Sequence, residues 1–210
     1  MVKTAILVSG GGTNLQAIID AHLFGEIPNC ELSAVISSNP EAYAIERAKN
    51  ANIPAYVVER AIFPNRATFT KAMLDMLQDL EIELVVYAGF NFILDAPLIK
   101  AFENRIINIH PSLIPSFCGP GYYGLKVHEE VLASGVKLTG ATAHFASDIV
   151  DGGPIILQRA VEIREDDTPE SLQRRVMEEA EWKILPEAIS LYCERRLETD
   201  GKVVKIKYDE

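Results

Sequence analysis

Thr4-Ala5-Ile6-Leu7-Val8-Ser9-Gly10-Gly11-Gly12-Thr13-Asn14 reads as a short apolar strand, a glycine turn and the opening of a helix. Glycines let the backbone approach a ligand closely, and the free N–H groups at a helix start attract an anion. The dinucleotide fingerprint is not met, because its third glycine position holds Leu15. Ser37-Ser38-Asn39 stands where an acidic ribose contact would close the second strand, so NAD is not expected. No Gly-Lys-Ser/Thr follows either, which excludes a Walker loop. What remains is a site for one phosphate, with Gly11, Gly12, Thr13 and Asn14 as donors. The plain alternative is a tight turn with Thr or Asn capping the helix.

Working outward, strand-like runs recur at Leu32–Ser37, Ala55–Val58, Leu84–Ala88 and Arg105–Ile109. Helical periodicity fills the gaps at Asn14–Leu23, Tyr43–Asn52, Arg66–Leu80, Asp95–Ala101 and Gly124–Ser134. Strands interleaved with helices of this length imply right-handed crossovers and an α/β fold with a mostly parallel, twisted sheet covered by helices on both faces. The pattern then changes. Leu138–Phe145 and Ile155–Ile163 have no helix between them, so the sheet is expected to turn mixed there. Thr168-Pro169-Glu170 starts a long last helix, with Thr168 as N-cap, running to about Leu191 with a kink at Pro186. The tail Lys202–Tyr208 alternates like a closing edge strand. With no repeat or linker in view, the 210 residues read as a single domain, a phosphate-binding half to about residue 100 and a catalytic half beyond it.

The bulk composition narrows the function classes. At 48% hydrophobic and 24% charged residues, the chain is an ordinary globular protein. A net charge of −10 argues against nucleic acid, whose phosphate backbone calls for a basic surface. No apolar run approaches the ~18–20 residues needed to span a bilayer, and no signal-peptide pattern is seen. Three scattered cysteines, Cys30, Cys118 and Cys193, make neither a disulfide framework nor a zinc knuckle, so the expected compartment is the reducing cytoplasm.

Chemistry concentrates at Asn108-Ile109-His110-Pro111-Ser112-Leu113 and, about forty residues on, at Asp151-Gly152-Gly153-Pro154. Asn108 and His110 share one face of an extended strand, and Pro111 places them at its carboxyl end, where open α/β sheets bind ligands. An amide can donate to an oxyanion, an imidazole can move a proton, and a carboxylate can hold the imidazole charged. Asp148 and Asp151 facing a histidine would raise its pKa; plain turn chemistry explains the same Asp-Gly loop equally well. His144 is expected as a supporting or structural hydrogen-bonder, and His22 and His128 as surface residues. A metal held by His110, His144 and Asp151 is the minor alternative, because no paired-ligand spacing accompanies it. Phe90-Asn91-Phe92-Ile93-Leu94 is either core or the lining of a slot for a flat heterocycle.

Taken together, Ser9–Asn14 with Leu15–Ile19, Ala88-Gly89-Phe90, Asn108–Leu113, and His144-Phe145 with Asp151–Gln158 resemble the folate-dependent formyltransferases acting on glycinamide ribonucleotide, over Ala5 to about Leu191. The resemblance implies a Rossmann-like formyltransferase fold and 10-formyltetrahydrofolate as co-substrate, with no metal. It implies Asn108, His110 and Asp151 as the catalytic trio. Gly11, Gly12, Thr13, Asn14, Pro111 and Glu181 would hold glycinamide ribonucleotide. Folate would meet Arg66, the Phe90–Leu94 loop (Phe90, Asn91, Phe92, Ile93, Leu94), Asn108, and Ala146, Ser147 and Asp148. The implied partners are these two small molecules, with neither nucleic acid nor membrane; monomer and homodimer both stay open.

Departures from that pattern fall at Asn91-Phe92, where the family often has Met-Arg, at Glu178 near the phosphate site, and at Trp182. The segment Ser116–Gly124 is longer and richer in glycine, and is expected to form an active-site rim. Rival readings are a formyl-tRNA enzyme, which would need a basic RNA-binding domain, a formyltetrahydrofolate deformylase, and a nucleotide sensor that leaves the trio unused.

Overall fold

The computed structural model describes residues 1–208. Among the described residues, nine strands form one sheet: β1 (Val2–Val8), β2 (Cys30–Ser37), β3 (Ala55–Val57), β4 (Leu84–Tyr87), β5 (Ile106–His110), β6 (Leu138–Phe145), β7 (Ile155–Glu162), β8 (Leu197–Asp200) and β9 (Val203–Ile206). Their order across the sheet is β3-β2-β1-β4-β5-β6-β7-β9-β8. β1 to β5 run parallel, whereas β6 is antiparallel to both β5 and β7. The expected change of direction therefore falls at the β5–β6 boundary. The strand order reverses between β1 and β4, the kind of switch point at which open α/β sheets leave a ligand crevice.

Strand alternation sorts the core into two layers. Ile6, Val8, Ile107 and Ile109 pack on one face with α1 (Thr13–Leu23), α2 (Ala44–Asn50), α5 (Leu125–Ser134), α6 (Pro169–Val176) and α7 (Trp182–Cys193). Ala5, Leu7, Val85 and Ile106 pack on the other with α3 (Arg66–Asp79) and α4 (Ala96–Ala101). That second layer covers β1 to β4 and contains no residue of β6 or β7. Asn108, His110 and His144 belong by alternation to this face, where loops take over from helices.

Two expectations are corrected. The last helix is not one α-helix kinked at Pro186: α6 passes through a π-helical turn, Met177–Glu181, into α7, and Pro186 lies within α7. A π turn holds one residue more than an α turn, so it shifts the phase of α7 relative to α6, and it does so before the turn in which Pro186 lacks an N–H to donate. At the other end of the long element the capping prediction holds: Thr168 accepts from the Ser171 N–H, Ser171 answers, and Pro169 sits at the first helical position. The tail is a hairpin rather than a single edge strand. β9 joins β7 in parallel and β8 forms the outer edge; the polar run Leu197-Glu198-Thr199-Asp200 gave no strand signal of its own.

Candidate active site

The glycine turn ends in Gly12, at φ 72°, which caps α1 without any side-chain hydrogen bond. The capping alternative for Thr13 and Asn14 is thus not realised, and the first N–H groups of α1 stay available to a ligand. A Cβ at Gly12 would lie 2.7 Å from Ala44 Cβ, so this position needs glycine for space as well as conformation. Arg47 braces the turn, donating from Nε to the Gly11 carbonyl at 2.9 Å and from Nη1 to Gln16. Ser9 ties the turn to the neighbouring strand: its N–H donates to the Gly89 carbonyl, and its Oγ accepts from the Asn91 N–H at 3.0 Å. The two loops that flank the switch point are locked to each other.

On the adjoining strands, Asn108 pairs across β5–β6 with His144. His144 donates from Nδ1 to the Phe145 carbonyl, leaving Nε2 to accept from Asn108 Nδ2 at 3.1 Å. This fixes one tautomer and one amide orientation. His110 is buried; its Nε2 donates to the Phe117 carbonyl at 2.9 Å, and its Nδ1 lies 3.5 Å from Asp151 Oδ2. Asp151 also accepts from the Gly119 N–H at 2.9 Å and stands 3.7 Å from His144. The latter distance is long, and Asn108 already engages His144 Nε2, so Asp151 is chiefly the partner of His110. Burial works against ionisation of Asp151, but the two histidines and the Gly119 N–H outweigh it and hold the carboxyl below its ordinary range.

His110 departs from expectation. Burial outweighs the raising effects of Asp151 and the Phe117 carbonyl, so its pKa falls below the usual histidine value. Asp151 lessens the cost of an imidazolium without making it the resting form. The hairpin loop carrying Asp151 folds back over the sheet because Gly153 approaches the Phe145 carbonyl so closely that a Cβ would overlap it. Plain turn chemistry therefore accounts for only part of the Asp151-Gly152-Gly153 sequence.

These elements surround one cavity of about 540 Å³. Gly11, Gly12, Thr13, Asn14, Asn108, His110, Pro111, His144, Ala146, Ser147, Asp151 and Glu181 all line it, as does every residue from Phe90 to Leu94. Gly119–Gly124 supplies the expected rim. Two expected contacts do not reach the lining. Arg66, at the start of α3, pairs with Asp95, and Asp148 is exposed at the hairpin tip. Glu178 is turned aside: it accepts from Arg174 Nε at 2.8 Å and is half exposed. Trp182 faces a separate hollow of about 520 Å³ between α1 and α7, which contains none of the trio. Among the described residues, no group of three or more His, Cys, Asp or Glu is arranged to hold a metal, and no helix is long and apolar enough to cross a membrane.

Glu181 is the last residue of the π turn and is buried, accepting from Asn14 Nδ2 at 2.7 Å; burial raises its pKa to about 7 despite that bond. His128 is a correction. It is fully buried on α5, lines the cavity, and has no partner for either ring nitrogen. Burial, with His110 nearby, lowers its pKa to about 4. Its sequence signal was present: three residues before Val131 and one after Val127, His128 sits on the inward stripe of α5.

A helix start with free N–H groups, an apolar slot and an amide–imidazole–carboxylate group share one crevice, an arrangement suited to acyl transfer. The chain belongs to the formyl transferase family, whose sequence profile matches residues 2–189. More particularly, it is 41% identical over 197 residues to the phosphoribosylglycinamide formyltransferase of Haemophilus influenzae, covering 94% of this chain and 90% of that protein. It is 39% identical over 210 residues to the bovine (Bos taurus) trifunctional purine biosynthetic protein adenosine-3, covering 99% of this chain but only 20% of that protein. The crystal structure of glycinamide ribonucleotide transformylase 1 from Symbiobacterium toebii superposes with a TM-score of 0.92 at 44% identity, covering 98% of this chain and 94% of that one.

Proposed function

We propose that this protein transfers the formyl group of 10-formyltetrahydrofolate to the amine of glycinamide ribonucleotide, giving formylglycinamide ribonucleotide and tetrahydrofolate in purine biosynthesis. The observation that carries the reading is that Asn108, His110 and Asp151 line the same cavity as the uncapped start of α1 and the apolar Phe90–Leu94 wall. The phosphate belongs at the free backbone N–H groups of Gly11–Asn14, with the Asn14–Glu181 pair beside it. The ring of the folate belongs between Phe90–Leu94 and Ala146–Ser147.

Attack of the amine on the formyl carbon forms a C–N bond and places negative charge on the formyl oxygen. Asn108 donates to that oxygen from its amide and His110 from the Nε2–H that its neutral ring already carries; one such donor is typically worth ~10²–10³ in rate. Asp151 stabilises the positive charge that builds on the imidazole and orients a water that carries the proton from the amine to the folate nitrogen as the old C–N bond breaks. The Phe117 carbonyl accepts from the Nε2–H of His110, so the rim loop yields that hydrogen bond when the formyl oxygen arrives. Much of the remaining acceleration comes from aligning two bound substrates.

The test mixes purified protein with glycinamide ribonucleotide and 10-formyltetrahydrofolate and follows loss of the formyl group. Amine-dependent deformylation, abolished in His110→Ala, is expected. Deformylation without the amine would identify a hydrolase, and no reaction by folded protein would leave a binding module.

A further inference from the structure

Tyr87 ends β4 in a row that crosses the sheet through Leu7, Tyr87, Asn108 and His144. Adjacent strands lie about 4.8 Å apart, so Tyr87 is the immediate neighbour of the amide assigned to the oxyanion. Its ring packs against Phe90 at 5.4 Å between centroids and lines the same cavity, with only 9% of the residue exposed. The hydroxyl is buried and has no hydrogen-bond partner. Leu94, Ile99 and Phe90, which share this wall, offer it no side-chain acceptor.

A sealed, unpaired hydroxyl is unfavourable, and phenylalanine would fill the same space without that penalty. The residues of β4 before it, Leu84-Val85-Val86, are all apolar and fully buried, so packing alone gives no reason for the oxygen. Burial also raises the phenol's pKa above its ordinary value, which keeps it protonated and able to donate at neutral pH.

We infer that the Tyr87 hydroxyl is a hydrogen-bond donor at the floor of the apolar slot, uncovered when the incoming ring displaces the Phe90 side chain packed against Tyr87, and reserved for an acceptor, a carbonyl or a ring nitrogen, on the edge of the folate's bicyclic ring. The inference rests on the proposed reaction and adds to it a specificity-determining contact. Anchoring the ring one strand away from Asn108 sets how far the formyl carbon lies from the oxyanion donors. The slot thus distinguishes a heterocycle with an acceptor at that edge from an apolar ring of the same shape.

The experiment compares the parent protein with Tyr87→Phe in three measurements: calorimetric titration with 10-formyltetrahydrofolate under argon, steady-state kinetics, and melting of the unliganded proteins. The expected result is a Kd and KM for the folate raised about five- to tenfold, as for one neutral hydrogen bond. The KM for glycinamide ribonucleotide stays the same, and the unliganded variant melts at the same temperature or higher. Equal folate affinity in parent and variant overturns the inference. Weakened affinity with a lower melting temperature assigns the hydroxyl to the fold and overturns it too. A parent protein that binds no folate brings down the proposed reaction itself, a result visible before any variant is made.

Discussion

The two halves of the sheet solve different problems. From β1 to β4 the strands are parallel, helices cover both faces, and what is offered to ligand at the glycine turn is backbone: a turn fixed by Gly12 and the free N–H groups of α1. From β5 onward the sheet becomes mixed, one face loses its helices, and the cavity wall is built from Asn108, His110, His144 and Asp151. Backbone donors at a helix start are set by the fold and suit an anion that needs only to be held. Side chains meeting from a strand end and a hairpin loop can be arranged one by one, which acyl transfer requires. In the proposed reaction, binding falls mainly to the parallel half and chemistry mainly to the mixed half.

The largest expected effect tests that division directly. Asn108→Ala should lower kcat by ~10²–10³ with little change in either KM, because the lost donor acts on charge present only in the transition state. Steady-state kinetics with both substrates varied would check this. Gly12→Ala is the counterpart in the parallel half. The added methyl meets Ala44, and φ 72° disfavours a side chain, so stability should fall by roughly 1–3 kcal/mol and the KM for glycinamide ribonucleotide should rise about tenfold. If Gly12→Ala instead reduced kcat as deeply as Asn108→Ala with KM unchanged, the division of labour would be wrong.

Two buried groups sharpen the comparison through pH. Glu181 titrates at about 7 in the fold against about 4.5 unfolded, so the native state holds the extra proton and stability falls as pH rises through that window. His128 titrates at about 4 against about 6.5, so the unfolded state holds the extra proton and stability is lost as pH falls through that window. Between about 4.5 and 6.5 the two slopes oppose each other. Relative to the parent, Glu181→Gln should therefore gain stability as pH rises, and His128→Asn should lose it. Each tilt is at most roughly 3 kcal/mol, and urea unfolding at pH 5 and pH 7.5 would reveal it. Parallel tilts in the two variants would contradict the burial assigned to one of these groups.

Smaller effects lie at the rim. Arg66→Ala should weaken folate binding no more than about threefold, since the guanidinium is largely exposed and already paired with Asp95. Glu178→Gln should leave both KM values unchanged, because Glu178 faces Arg174 and solvent; a tighter phosphate site in that variant would show that the carboxylate turns inward.

Much of this was legible before any coordinates. Apolar periodicity located the strands from Thr4–Val8 to Arg105–Ile109, and the missing helix after Phe145 announced the antiparallel β6–β7 pair, though not that β6 already runs against β5 on the far side of α5. Asn108, His110 and Asp151 stood out because three complementary functional groups fell at a strand end and a turn. What was not legible depends on partners distant in sequence. Tyr87 looks like one more large residue in an apolar strand until its hydroxyl is found without an acceptor. His128 was readable from its place on the Val127–Val131 stripe of α5, but the neighbouring Glu129 and Glu130 masked it. The fall in the His110 pKa could not be read either, because a nearby carboxylate is visible in sequence while desolvation is not.

The π turn at Met177–Glu181 makes the last helical segment a problem of phase. An α-helix advances 100° per residue, so the one extra residue in the wide turn rotates everything after it by that angle relative to α6. Deleting a single residue from that turn would restore continuous α-helical phase from α6 into α7, more regular than the native path up to the one bond that Pro186 cannot make. The same deletion would leave Leu172 and Val176 in the core while turning Glu181 about a quarter of the way round the axis, away from Asn14. At this position local regularity and a working site exclude each other.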